Sequence, residues 1–182
     1  SNQQYKDNYL ACELIKDILA MIAPQFETEN INFEFSYFHE KIDDFISLDR
    51  LFDKDLIFVN EPQFKQVLLN IINNSKDAIN QKRKNEHNRF NGKIIIDIDK
   101  VDKFIKISIK DNGCGIAKYD LPKVFDPFFT TKEIGRGKNI ISGVGLGLYI
   151  SKLIVEEHLN GKIEVENLQD GAEFKIYFPI VV

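Results

Sequence analysis

Apolar residues recur at helical spacing over 8–22, where Leu10, Leu14, Ile15, Ile18, Leu19 and Ile22 share one face. Pro24 is expected to stop that helix. The period then shortens to two. Ile31, Phe33, Phe35 and Tyr37 alternate with polar residues over 31–38, as in a half-buried strand. Residues 44–59 carry a weaker pattern that fits one or two short strands or a short helix. Glu61-Pro62 opens the clearest helix of the chain, since proline is favourable in a first helical turn. Phe64, Val67, Leu68, Ile71, Ile72, Ala78 and Ile79 form its apolar face. The polar stretch 82–92, ending in Asn91-Gly92, reads as a loop. Two alternating runs follow, 93–99 with Ile94, Ile96 and Ile98, and 104–110 with Ile105, Ile107 and Ile109. A short charged turn between them predicts an antiparallel hairpin. Residues 111–147 are rich in glycine and lack a period. A helix carrying Leu146, Tyr149, Ile150, Leu153 and Ile154 comes next and ends at Asn160-Gly161. Strands 162–167 and 172–179, joined across Asp170-Gly171, complete the pattern. This mixture predicts an α+β fold, with helices on one face of a mostly antiparallel sheet.

Composition narrows the class. A chain of 182 residues is one domain's worth and can bury a real core. With 43% apolar and 29% charged residues, it is neither disordered nor collagen-like. A net charge of -4 argues against a general nucleic-acid binder. Cys12 and Cys114 lie far apart and make neither a disulfide framework nor a zinc pattern, which fits a reducing, cytoplasmic setting. No apolar run approaches the roughly 20 residues that span a bilayer, and the start carries no signal peptide. No direct membrane contact is expected.

Candidate chemistry sits on polar positions that cost something. Asn70, Asn74 and Asp77 share one face of the 62-onward helix at i, i+4 and i+7. Each is several tenths of a kcal/mol, roughly, worse than alanine in a helix. Either this is a plain polar face, or side-chain oxygens are aimed at a hard cation such as magnesium, which prefers oxygen ligands. Asn73 and Asn80 show that the chain tolerates asparagine elsewhere on this helix.

Two glycine loops flank the aperiodic stretch. Asp111-Asn112-Gly113-Cys114-Gly115-Ile116 leaves a strand directly. It is either a simple Asn-Gly turn or a loop that approaches a ligand, with Asp111 accepting from an exocyclic amine. Gly143-Val144-Gly145-Leu146-Gly147-Leu148 runs into a helix. Glycine costs about 1 kcal/mol inside a helix, so Gly145 and Gly147 just inside one call for a reason, and a phosphate seat supplies it. The spacing is neither the dinucleotide fingerprint nor a P-loop. Between the loops, Phe125, Phe128 and Phe129 are expected to be core residues anchoring the base of a basic lid, with Arg136 and Lys138 near phosphate.

These motifs, in this order, resemble the catalytic ATP-binding domain of sensor histidine kinases, a superfamily shared with gyrase, heat-shock and mismatch-repair ATPases. The resemblance covers roughly residues 8–180. It implies a two-layer α/β sandwich of the Bergerat type, with ATP and Mg2+ bound between the Asn70 helix and the lid. By the resemblance, Asn74 holds magnesium and Asn70, one turn earlier, helps position that site. Asp77 lies on the same ligand-facing stripe. Asp111 reads the adenine amine, and Gly113, Gly115 and Ile116 shape its pocket. Gly143, Val144, Gly145, Leu146, Gly147 and Leu148 form the phosphate-proximal loop. Lys132 reaches the phosphates, and Asn70 and Lys132 are the residues expected to act in transfer. The Phe-Phe-Thr-Thr-Lys and Gly-x-Gly-x-Gly forms resemble the nitrogen-regulation type.

Relatives that hydrolyse ATP carry a glutamate as general base where this chain has Asn70. An amide takes no proton, whereas neutral histidine is already a nucleophile, so Asn70 favours a histidine kinase. The acceptor histidine is expected on a preceding dimerisation domain, which would be this domain's first partner. A response regulator would be the downstream one. His39, His87 and His158 do not match the acceptor's context. The fragment is expected to be monomeric and not to phosphorylate itself efficiently. The alternatives are a conformational ATPase of the same fold and a non-catalytic nucleotide-binding module.

Overall fold

The computed structural model describes residues 5–46, 53–86, 90–131 and 145–181. Strand β1 (Asp7–Leu10) runs straight into helix α1 (Ala11–Thr28). The helix therefore starts later than residue 8, because the chain first pairs with β4 (Leu56–Val59) as a two-stranded ribbon. Nor does Pro24 stop α1; it lies inside it. Ala23 and Phe26, on either side of it, are buried. Burying a phenylalanine contributes about 1.5–3 kcal/mol, comparable to the roughly 3 kcal/mol a proline costs in a helix.

The N-terminus of α1 is capped from a distance. Leu10 offers no side-chain cap, and Asp55 takes that part: its Oδ2 accepts from Cys12 N at 2.5 Å and its backbone O from Ala11 N at 3.1 Å. Tyr37 Oη donates to Asp55 Oδ1 at 3.1 Å, and the Cys12 thiol lies 3.5 Å from the same oxygen. Asp55 is fully buried, and that burial pushes its carboxyl pKa up.

Helix α2 (Glu61–Glu86) begins where the sequence predicts but continues past residue 81. Lys82 to Glu86 were expected in a loop, yet they are mostly good helix formers. Arg83 also ties the extension down by donating to Glu29 O and Asn30 O, each at 2.7 Å, at the end of α1.

Strands β2 (Ile31–Tyr37), β3 (Glu40–Ile42), β5 (Gly92–Val101), β6 (Phe104–Asp111), β7 (Lys162–Asn167) and β8 (Ala172–Pro179) form one sheet in the order β3-β2-β5-β6-β8-β7. Among the described residues only β2–β5 is parallel; the other pairs are antiparallel. The predicted hairpin of β5 and β6 is present. Phe35, Ile96, Ile109 and Phe174 lie in register and are buried, as are Tyr37, Ile98, Ile107 and Ile176. The helices cover this face, adding Ile15, Ile18, Phe64, Leu68, Ile71 and Ile72 to the core. The opposite face carries ion pairs such as Lys93–Glu34 at 2.8 Å and Lys110–Asp97 at 2.6 Å. One dry and one charged face is the α+β sandwich predicted.

Helix α3 (Gly147–Leu153) passes into a π turn (Ile154–His158). Its buried residues are Ser151, Ile154 and Val155, while Tyr149, Ile150 and Leu153 remain 36–37% exposed. The buried face is thus rotated from the one expected. A small side chain is needed where α3 meets α2, and Ser151 takes that place beside Asn70.

Candidate functional site

Asn70, Asn74 and Asp77 form a half-buried stripe along α2, between its core face and solvent-exposed Asn73. Ser75, directly after Asn74, is buried at 1% exposure. Its Oγ makes no hydrogen bond of ordinary geometry, yet it lies close enough to the Asp111 carboxylate to lower that group's pKa. Asp111 ends β6 and is itself buried. Its Oδ1 accepts from Gly113 N at 2.9 Å. Burial is the largest influence on this acid and raises its pKa overall, against the lowering effect of those donors.

The loop after Asp111 lies on α2. Cys114 N donates to Ala78 O at 3.2 Å. A Cβ on Gly113 would sit 2.7 Å from the Ala78 backbone carbon, so only glycine fits this approach. Ile116 is held at both ends of its peptide: its N donates to Asn167 Oδ1 at 2.8 Å, and Asn167 Nδ2 donates to its O at 2.5 Å. The Ile116 backbone is therefore spent on the scaffold. Burial raises the pKa of the exposed-side Cys114 thiol, which disfavours its thiolate. A cleft of about 460 Å³ opens behind the loop, lined by residues including Lys82, Gly113, Cys114, Asn167 and Asp170. Gly115 and Ile116 also line it, whereas Asn70, Asn74 and Asp111 do not.

At the other end of the stripe stands the start of α3. Asn70 Nδ2 donates to Ser151 Oγ at 2.9 Å. A Cβ on Gly147 would collide with Asn70 Oδ1, so the second glycine loop meets α2 at Asn70. Gly145, at φ 72°, precedes the helix and is not inside it, which corrects the expected helix start. Leu146 O accepts from Ile150 N at 2.9 Å, and Leu148 packs on the core. The Gly145 backbone abuts Phe128 and Phe129.

Of the phenylalanines, Phe125 is an anchor, edge-on to Phe174 with ring centroids 6.5 Å apart. Phe128 is not a core residue: it is 69% exposed, with φ 66°. That left-handed backbone serves the turn and directs its ring away from the core. Lys132, Arg136, Lys138, Gly143 and Val144 lie outside the described residues. His39 is on the turn between β2 and β3, paired with Asp99 Oδ2 at 3.1 Å, and His158 contacts Gln63 Nε2 at 2.9 Å.

The structure thus brings Gly147 to Asn70 and the Gly113 loop to Ala78, with Asn74 and Asp77 between these two points along α2. Sequence reasoning missed Ser75, Ser151 and Asn167. A serine after a helical asparagine and a serine inside an apolar helix pattern were the available signals for the first two. Among the described residues no group of three or more His, Cys, Asp or Glu could hold a metal. The oxygen donors offered instead are amides, which suit a hard cation that keeps most of its shell as water and nucleotide.

The pattern of the histidine kinase-, DNA gyrase B-, and HSP90-like ATPase family matches residues 59–182. The chain is 41% identical over 132 residues to the signal transduction histidine-protein kinase AtoS of Escherichia coli (strain K12), covering 70% of this chain and 19% of that protein. Sporulation kinase E of Bacillus subtilis (strain 168) is 28% identical over 178 residues, covering 97% of this chain and 20% of that one. The chain spans about a fifth of the length of these curated relatives. A nucleotide-free structure of the catalytic domain of histidine kinase ThkA superposes with a TM-score of 0.72 at 27% identity, covering 96% of this chain and 95% of that one. With the family pattern spanning more than half of its residues, the chain belongs to the histidine kinase-, DNA gyrase B-, and HSP90-like ATPases.

Proposed function

We propose that this domain binds ATP with magnesium and donates the γ-phosphate to a histidine on a separate dimerisation domain of a sensor kinase. One observation carries the reading. The Asp111 loop lies on α2 at Ala78, and the α3 glycine loop lies on the same helix at Asn70. Eight residues of helix separate them, about 12 Å at 1.5 Å per residue. An amine-reading acid and a glycine loop so spaced fit the two ends of an extended nucleoside triphosphate.

In this reading Asp111 accepts from the purine amine, and Gly113 lets the loop come close enough to deliver it. Asn74, with Asp77 a turn beyond, faces the middle of the cleft, and Asn74 would hold the cation. Bound there, magnesium neutralises phosphate charge and helps orient the transferred group. Asn70 leaves the site without a carboxylate base at that position, which suits transfer to imidazole rather than to water. Gly143, Val144 and Lys132 are proposed to complete the phosphate end. The dimerisation domain and a response regulator are the proposed partners, and the isolated chain is proposed to be monomeric. Among the described residues no helix is long and apolar enough to cross a membrane; a cytoplasmic site of action is part of the proposal.

The test is a titration with a fluorescent ATP analogue, with and without magnesium, for wild type and Asn74→Ala. The expected result is magnesium-enhanced binding that Asn74→Ala removes. Equal binding by both proteins would sink the assignment of Asn74. Radiolabelled ATP should then label a supplied dimerisation domain and leave the chain alone unlabelled; steady phosphate release without a histidine acceptor would favour a hydrolase instead.

A further inference from the structure

Asn70 is held from two sides by α3. Its Nδ2 donates to Ser151 Oγ at 2.9 Å, and its Oδ1 lies against the Gly147 backbone. Ser151 is 2% exposed, whereas its neighbours Tyr149, Ile150 and Leu153 on the same helix are over a third exposed. A helix that turns a serine inward and leaves three large apolar residues partly wet is not oriented by apolar burial alone. The polar contact to Asn70 and the tight approach at Gly147 are what that orientation secures. An amide side chain has a donor end and an acceptor end, and rotating it by half a turn exchanges them. With Nδ2 toward Ser151, Asn70 has its Oδ1 against Gly147.

We infer that Ser151 is a positioning residue for this site, acting through Asn70. It anchors the Asn70 side chain against α3 and so sets how the second glycine loop meets α2. The inference rests on the nucleotide reading proposed above, and it concerns the phosphate end alone. Ser151 itself would touch neither nucleotide nor metal, and Asp111 at the purine end is independent of it.

The test is a double-mutant cycle of Ser151→Ala with Asn70→Ala. Calorimetry would measure affinity for a non-hydrolysable ATP analogue with magnesium, and for adenosine without it. Losing a buried hydrogen bond that acts on the site should weaken the magnesium–analogue affinity about tenfold in Ser151→Ala. Adenosine affinity should stay unchanged, and Ser151→Ala should have less than about a twofold further effect once Asn70 is alanine. The Asn70 side-chain amide protons should also exchange with water faster in Ser151→Ala, a change that looser packing elsewhere would not produce. Equal weakening for both ligands, or full additivity with Asn70→Ala, would reduce Ser151 to a packing residue and overturn the inference. A wild-type chain that binds neither ligand would overturn the nucleotide reading, and this inference with it.

Discussion

Two of the aspartates that the fold buries, Asp55 and Asp111, serve it differently. Asp55 is 0% exposed and Asp111 is 5% exposed, and burial raises both carboxyl pKa values. Around Asp55 the donors come from the scaffold: the Cys12 amide, the Cys12 thiol and the Tyr37 hydroxyl converge on it. Its charge is absorbed in starting α1. Asp111 accepts from Gly113, two residues on, while Ser75 and the Ala172 backbone act on it from α2 and β8. It stands at the end of a strand, where Gly113 lets the loop close on α2 and Gly171 comes up against Asp111 itself. A buried acid enclosed by distant scaffold donors is architecture. One kept buried at a strand end beside a glycine loop would, in the function proposed above, accept from a donor that arrives with a ligand.

Substitutions separate the two. Asp55→Ala should cost about 3 kcal/mol of stability in chemical denaturation, since it removes a helix cap and strands the three donors that converge on it. Nucleotide affinity should be unaffected once the protein is folded. Asp111→Asn should do the reverse: about a hundredfold loss of ATP affinity, some 2.7 kcal/mol, with no loss of stability. If Asp111→Asn unfolded the chain and kept affinity, the contrast would be void. Gly113→Ala should cost about 2 kcal/mol, because the added methyl meets the Ala78 backbone, and it should weaken purine binding as the loop is pushed off α2.

The pH dependence sharpens the point. For an aspartate whose pKa is raised by folding, the folded chain keeps a proton that the unfolded chain has released. Stability from these two groups therefore falls as pH rises from the ordinary aspartate value, about 4, through the raised folded value, and is lowest above it. Nucleotide affinity should move the opposite way, weakening as pH falls through the raised pKa of Asp111, because the ionised acid is the stronger acceptor for the amine. Denaturation and binding measured over one pH series would show the opposed slopes, and Asp111→Asn should erase the binding slope. The smallest effect is expected on the charged outer face. Lys175→Ala, which unpairs Glu166 and removes a cation 3.5 Å from Glu173, should cost about 1 kcal/mol or less.

Much of this was legible in the chain. The β5–β6 hairpin, the start of α2 and strands β2, β7 and β8 follow from period and turn chemistry. So do Asn74, Asp111 and Gly113 as candidates, since each is a residue type that its element would not choose for stability. The rest depended on partners far away in sequence. The start of α1 depends on Asp55, 43 residues from Cys12, and on pairing with β4. The length of α2 depends on Arg83 reaching the end of α1. The inward face of α3 depends on Asn70, 81 residues from Ser151, and no local periodicity reports that.

The one parallel pairing among the described residues, β2 beside β5, sets where this chain can be shortened. The family pattern begins at residue 59, yet β2 lies before that point and supplies the neighbour along which β5 runs. A fragment trimmed to residue 59 would bare a ten-residue strand whose alternate positions are Ile94, Ile96 and Ile98. Such a raw border invites another copy to attach. Recombinant pieces should therefore retain everything from β1 onward; shorter ones should clump, whatever their similarity to relatives suggests.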